Sequence, residues 1–286
     1  MKILVTGASG RTGQAVVPAL ARAGHAVRFL TRQVSYGGAL AGVEGASPVT
    51  GDLSSEADVA RAVEDVDAIY HIPPNMNPGE IAFGERIVRM ARGAGVGHFV
   101  YHSVLHPQIE ALPHHWNKLF VEQALIESGL SFTILQCSSY MQNTLTDWRR
   151  IVDDGVHTMA LSVGARLNLV DLDDVAEVAG IVTGQSKHAG AIYELAGPEL
   201  LSGEDKAQIL TRVLGRPVEA KQDSADDFRR KAAGMGTPQH VIDGRVTMFA
   251  HYDHGGLVGN SNVLEMLLGR PAATFEQFAR RAAAAQ

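Results

Sequence analysis

Along its first half the chain alternates short apolar runs with stretches in which apolar residues recur every three to four positions. Lys2 to Thr6 is a buried-strand run, Gln14 to Ala23 has helical spacing and stops at Gly24, and Ala26 to Leu30 is the next apolar run. Ala46 to Val49 then reads as a strand, Ser54-Ser-Glu-Ala-Asp58 opens a helix with an N-cap serine and early acidic residues, and Asp67 to Ile72 is apolar again. Pro73-Pro74 ends that run. Gly79 to Gly93 carries an amphipathic helix, His98 to His102 makes a fifth strand and Ser131 to Gln136 a sixth. Pro18 removes one hydrogen bond inside the first helix and predicts a kink in a helix that survives.

Such alternation predicts an α/β fold: a doubly wound parallel sheet of the Rossmann type with helices on both faces. Beyond about residue 145 the alternation weakens. Leu167 to Val170 predicts a short strand, Asp173-Asp174 cap a helix running to about Thr183, and Gly190 to Leu195 predicts a strand returning to the main sheet. From Ser202 the chain reads as largely helical, with a Gly- and His-containing loop near His251 to Asn262 and no internal repeat.

Between the first strand and the first helix stand Gly7, Gly10 and Gly13, three apart. Glycines let the backbone turn tightly and approach an anion, and the first orphan N–H groups of the helix point at that anion. The spacing is G-x-x-G-x-x-G rather than the G-x-G-x-x-G fingerprint, so the turn takes its weight from the surrounding strands and helices. Ser9, Arg11 and Thr12 fill the same turn and belong to the expected cofactor site. Strand two ends in Thr31-Arg32, and no acidic residue follows between Leu30 and Tyr36, where an NAD-specific site places a carboxylate on the ribose 2′-hydroxyl. Arg32 instead suits a 2′-phosphate, hence NADP(H), and Arg11 can reach that phosphate from the other side; solvated surface charge is the alternative for both. Asp52, at a strand end and followed by Leu53, either bonds an adenine amino group or is an ordinary loop carboxylate. Ile72 and Pro73 lie where the cofactor should pass. Residues 1–150 are therefore expected to form a dinucleotide-binding domain to which the strand near 190–196 returns. Residues 151–286 should form mostly a smaller helical lobe that roofs the cofactor and shapes a substrate pocket.

Composition narrows the function classes. In 286 residues with 45% hydrophobic and 20% charged residues, a net charge of −6 argues against a general nucleic-acid or anionic-membrane surface. The single cysteine, Cys137, excludes an intramolecular disulfide and a four-cysteine metal site. Neither a secretory signal pattern nor an apolar run of membrane-spanning length is visible, and a cytoplasmic protein is expected.

Thr6-Gly-Ala-Ser-Gly-Arg-Thr-Gly13, Leu30-Thr-Arg32, Gly51-Asp52, the His114/Lys118 helix, Leu135-Gln-Cys-Ser-Ser-Tyr-Met-Gln-Asn143 and Leu267-Leu-Gly-Arg-Pro271 together resemble the NmrA-like family of atypical short-chain dehydrogenase/reductases. Their order and spacing carry the resemblance over nearly the whole chain. It implies a Rossmann domain binding NAD(P) and a smaller C-terminal lobe. It also implies one of two behaviours: reduction of quinones, dyes or plant phenolics with NADPH, or dinucleotide binding by a redox sensor that regulates a transcription factor. The chain departs from the Tyr-x-x-x-Lys pattern of short-chain dehydrogenases, since His114 stands at the tyrosine position relative to Lys118. Many NmrA-like proteins share that absence.

Candidate chemistry concentrates on residues 103 to 143. Lys118 and His114, four apart, share one helix face. Lys118 is expected to bond the nicotinamide ribose or lower a neighbour's pKa. His114 is expected to donate a proton because imidazole titrates near neutral pH, a solvent-facing position being its alternative. Tyr140 is the other phenol for the pocket, with core or lid packing as its alternative. Ser103 lines the site through its hydroxyl or caps a turn. Cys137, placed beside the cofactor, is a reactive thiol if exposed and a small buried hydrophobe otherwise. His102, His106, His114 and His115 lack the spacing of a preorganised metal motif, and no metal is expected. The leading expectation is an NADPH-dependent oxidoreductase acting on a small apolar carbonyl, quinone or enone. The alternative is a non-catalytic NADP(H)-binding sensor acting through a protein partner, and a homodimer is compatible with either.

Overall fold

The apolar runs of the first half become strands in the computed structural model, which describes residues 1–33 and 38–285. In chain order they are β1 (Lys2–Val5), α1 (Arg11–Arg22), β2 (Ala26–Thr31), β3 (Ala46–Thr50), α2 (Glu56–Val63), β4 (Ala68–His71), α3 (Glu80–Gly93), β5 (His98–Val104), α4 (Pro113–Glu127) and β6 (Phe132–Cys137). Strand β4 is buried at every position, as a central strand covered on both faces must be. Helix α1 begins at Arg11, three residues before the expected start, so Arg11, Thr12 and Gly13 lie in its first turn. Pro18 sits within α1 without ending it.

The next segment builds a second unit, with β7 (Ser139–Tyr140), a 3₁₀ turn (Met141–Asp147), α5 (Trp148–Asp154), β8 (Val156–Met159) and β9 (Leu167–Val170). The chain then returns to the first unit with α6 (Leu172–Gly184) and β10 (Ala191–Leu195), as expected for the strand near 190–196. It finishes in the second unit with β11 (Leu200–Leu201), α7 (Gly203–Leu214), β12 (Glu219–Gln222), α8 (Ala225–Gly234), α9 (Gln239–Gly255), α10 (Asn262–Leu268) and α11 (Phe275–Ala284).

The first unit holds a seven-stranded sheet in the order β10-β6-β5-β4-β1-β2-β3, parallel in every pairing from β3 through β6. Chain order reverses between β1 and β4, which is where open α/β sheets bind ligands beyond the strand C-termini. Under one face, Leu4, Ile69, Phe99 and Tyr101 pack with Ile87 of α3 and Val121 and Leu125 of α4. The second unit contains a three-stranded sheet, β11-β9-β7, and a parallel β8–β12 pair. The units divide at Cys137/Ser138 rather than near residue 150, and 173–194 belong to the first. Two sequence expectations change here. His251 to Gly255 close helix α9 instead of sitting in a loop, and strands β8 and β12 carry no alternation that would announce them. Among the described residues no helix is long and apolar enough to cross a membrane.

Candidate functional site

Strand β1 runs out at Val5, and Thr6 ties its end to β4. The buried Thr6 Oγ1 lies 2.7 Å from His71 Nδ1 and accepts the Ile72 N–H at 3.1 Å. Gly7 follows with φ +63°, and a Cβ there would stand 2.6 Å from the Ile72 carbonyl oxygen, so only glycine suits the position. The Gly10 N–H donates to the Gly7 carbonyl at 3.1 Å, and Gly10 N-caps α1 without a side chain. A Cβ at Gly10 would make only ordinary contact, 3.4 Å from Gly7 O. Gly13 is a helical residue with a packing role: a Cβ there would fall 2.3 Å from Ala8 Cα. No acidic residue stands in the first turn of α1, which leaves the positive end of the helix dipole and its orphan N–H groups to an anion. Ser9, Gly10 and Arg11 are exposed there and Thr12 is half-buried, a cradle that fits a phosphate.

Arg32 is exposed just beyond β2. The rest of the acid-free stretch after it, 34–37, lies outside the described residues. Asp52 is committed to its own loop. The Ser54 N–H donates to Asp52 Oδ1 at 2.8 Å, and bonds from the Ser54 backbone and side chain, then the Arg32 charge, hold the Asp52 carboxyl below its usual range. Leu53 is half-buried against the core, its carbonyl accepting Arg86 Nη1 at 2.7 Å. Ile72 and Pro73 are buried at the end of β4. The sheet edge thus gathers Gly7, Gly10, Ile72 and Pro73 at the order reversal, with Arg32, Asp52 and Leu53 at the ends of the neighbouring strands.

Beyond β5 the same edge carries the start of α4. Lys118 Nζ donates to Glu80 Oε1 at 2.6 Å and toward the His114 carbonyl at 3.4 Å. Lys118 and Glu80 are both buried, and burial raises the Glu80 carboxyl even against the opposing pull of Lys118. On the sheet beneath, the His71 and Tyr101 rings stack with centroids 5.7 Å apart. Glu80 Oε2, His71 Nε2 and the Tyr101 hydroxyl are buried without a partner among the described residues. His102, whose Nδ1 lies 2.9 Å from the Tyr70 hydroxyl, and His71 are both lowered to about 3, first by burial and then by the Lys118 charge.

His114 departs from expectation. It is buried rather than solvent-facing, and burial, then the neighbouring His115 and Lys118, lower it to about 3, so its imidazole is neutral at pH 7 and does not titrate near neutrality. Ser103 departs as well. Its hydroxyl donates to Glu122 Oε1, and its cross-strand neighbour Gln136 donates to both oxygens of the same carboxylate at 3.1 and 3.0 Å. Cys137 is buried at the end of β6, and burial pushes its thiol up, which makes it the small inert hydrophobe. Tyr140 is half-buried on β7 of the second unit. Glu80 and Glu122 escape the sequence reading. An acidic residue in the first turn of a helix signals only the dipole, and nothing local reveals that Glu80 meets a lysine 38 positions away.

The model of the NmrA-like family matches residues 1–266. The NAD(P)H azoreductase of Xenophilus azovorans is 29% identical, over 99% of this chain and 98% of that protein. The (4-alkanoyl-5-oxo-2,5-dihydrofuran-3-yl)methyl phosphate reductase of Streptomyces griseus is 30% identical over 96% of each. Among solved structures, the NADPH-dependent quinone oxidoreductase of Escherichia coli complexed with NADPH aligns with a TM-score of 0.84 and 25% identity, covering 98% of this chain and 99% of that one. Strand order, glycine turn and matched length agree: the chain belongs to the NmrA-like family.

Proposed function

We propose that the chain is an NADP(H)-dependent oxidoreductase that reduces a small apolar carbonyl, quinone or enone. The observation that carries this reading is the glycine turn at Gly7, held so close to Ile72 that no Cβ fits, set where the strand order reverses and followed by a helix with no acidic residue in its first turn. Gly7, Gly10 and the start of α1 would hold the pyrophosphate, Arg32 the 2′-phosphate with Arg11 beside it, and Lys118 the nicotinamide ribose. Ile72 and Pro73 would flank the nucleotide. The dinucleotide supplies the hydride when bound. His114, held neutral, serves as a hydrogen-bonding group rather than a charged acid, which leaves the proton taken up by the reduced substrate to water. The relatives' own activities, azo, quinone and butenolide-phosphate reduction, support the reaction class.

The test is NADPH oxidation against a panel of benzoquinones, naphthoquinones and enones. Turnover is expected with at least one quinone, falling about tenfold or more in Lys118→Ala. A wild-type protein that binds NADPH and oxidises it with none of them would favour a dinucleotide-binding sensor that works through a protein partner.

A further inference from the structure

Lys118 reaches the sheet edge from α4, and a single carboxylate meets it there from α3. Glu80 is the first residue of α3, and its side chain has no exposed surface. The turn that delivers it is fixed: the Gly79 N–H donates to Asn77 Oδ1 at 2.8 Å, the Glu80 N–H donates to the Asn77 carbonyl at 3.0 Å, and a Cβ on Gly79 would stand 2.6 Å from the Phe83 ring. The carboxylate therefore sits at the positive end of a helix, with little freedom to follow the lysine elsewhere.

We propose that Glu80 is a positioning residue of the active site, fixing the Lys118 ammonium in place at the sheet edge; the role rests on the reductase reading above. Stability is a poor explanation for the pair, because desolvation of two buried charges offsets most of their attraction and an apolar pair of the same volume serves as well. Half of the Glu80 carboxylate is also unused, since Oε2 is buried without a partner among the described residues. An ammonium has three N–H groups, and among the described residues the Glu80 and His114 bonds take two, leaving one for a ligand. The other titratable groups that feel the Lys118 charge are His114 and Glu122 on its own helix, His71 on β4 and His102 on β5, and the Tyr101 hydroxyl on β5 in turn feels Glu80 and Glu122. The three histidines are neutral and Glu122 is occupied by Ser103 and Gln136, so Glu80 alone among the described residues sets a negative charge in contact with Nζ.

The test uses the full chain with NADPH and 1,4-benzoquinone as probes. In Glu80→Gln, kcat is expected to fall about tenfold to a hundredfold while KM for the quinone stays within about twofold. Glu80→Asp keeps the charge but draws it back by one methylene, so kcat should fall about threefold to tenfold, less than in Glu80→Gln. A folded Glu80→Gln protein with wild-type kcat overturns the proposal. If Glu80→Gln does not fold, Glu80→Asp decides, and a wild-type kcat there overturns it. If the wild type oxidises no NADPH, the reductase reading fails by itself, and Glu80 is judged by NADPH titration: affinity weakened about fivefold or more in the folded variants supports the role, and unchanged affinity overturns it.

Discussion

The backbone of Gly7 passes so close to Ile72 that a Cβ on the glycine would stand 2.6 Å from the Ile72 carbonyl oxygen, across the gap between β1 and β4. Gly10 has no such neighbour; its Cβ would lie 3.4 Å from the nearest atom.

The three glycines should therefore respond differently to alanine. Gly7→Ala meets both a left-handed φ and a backbone clash and is expected to cost about 2–4 kcal/mol, with a matching loss of NADPH affinity. Gly13→Ala should cost a similar amount through the Ala8 contact, and Gly10→Ala about 1 kcal/mol or less. Thermal unfolding with and without NADPH ranks them, and equal effects at Gly7 and Gly10 would refute the close-approach account.

Arg32 offers a test of cofactor choice. Arg32→Asp removes the cation that suits a 2′-phosphate and installs a carboxylate that suits a 2′-hydroxyl, so NADPH affinity should fall about tenfold or more while NADH affinity holds or rises. Titration by dihydronicotinamide fluorescence separates the two cofactors. An equal loss of both would remove Arg32 from the phosphate site.

The Lys118–Glu80 pair predicts a stability pattern distinct from the kinetic one. Lys118→Met strands a buried carboxylate and should cost about 3–5 kcal/mol in urea unfolding, while adding Glu80→Gln should return most of that loss. Turnover should stay low in both proteins. A double variant no more stable than the single one would mean the two side chains are not energetically coupled.

Acid should unfold this protein early. His71, His102, His114 and His157 are lowered to about 3, each chiefly by burial, whereas the unfolded chain protonates them near 6.5. The unfolded state then binds more protons, so the stability these groups contribute is present above about pH 6.5 and is lost as pH falls toward about 3. Each contributes a slope of at most about 1.4 kcal/mol per pH unit, and four together are of the order of the whole stability of a domain within two units. Glu80 and Glu122, whose carboxyls burial raises, bind protons in the folded state and offset part of the loss. Urea midpoints measured at pH 7.5, 6.5 and 5.5 should fall little over the first step and steeply over the second; a flat series would mean the folded imidazoles are not held neutral by burial.

Reading the sequence located the elements better than the contacts because the signals differ in range. The alternation of apolar runs and helical spacing is local, and it announced β1, β2, β4, β5 and β6 within a residue or two. It failed at β8 and β12, where VHTM and EAKQ carry too little apolar character to stand out and the parallel pairing itself makes the strands. The Gly- and His-containing stretch from His251 reads as a loop, yet α9 continues through it to Gly255.

By itself the sequence determined the glycine turn, the cation after β2 and the lysine on α4, because backbone conformation, charge and helical spacing are properties of a few adjacent residues. Only the tertiary structure decided what those groups face. It buried His114 and thereby removed its near-neutral titration, and it gave the Ser103 hydroxyl to Glu122. It also brought Glu80 onto Lys118 from 38 residues away. Each of these depends on which helix the sheet packs against which strand, and the desolvation and pairing of a charge exist only once that packing has excluded water.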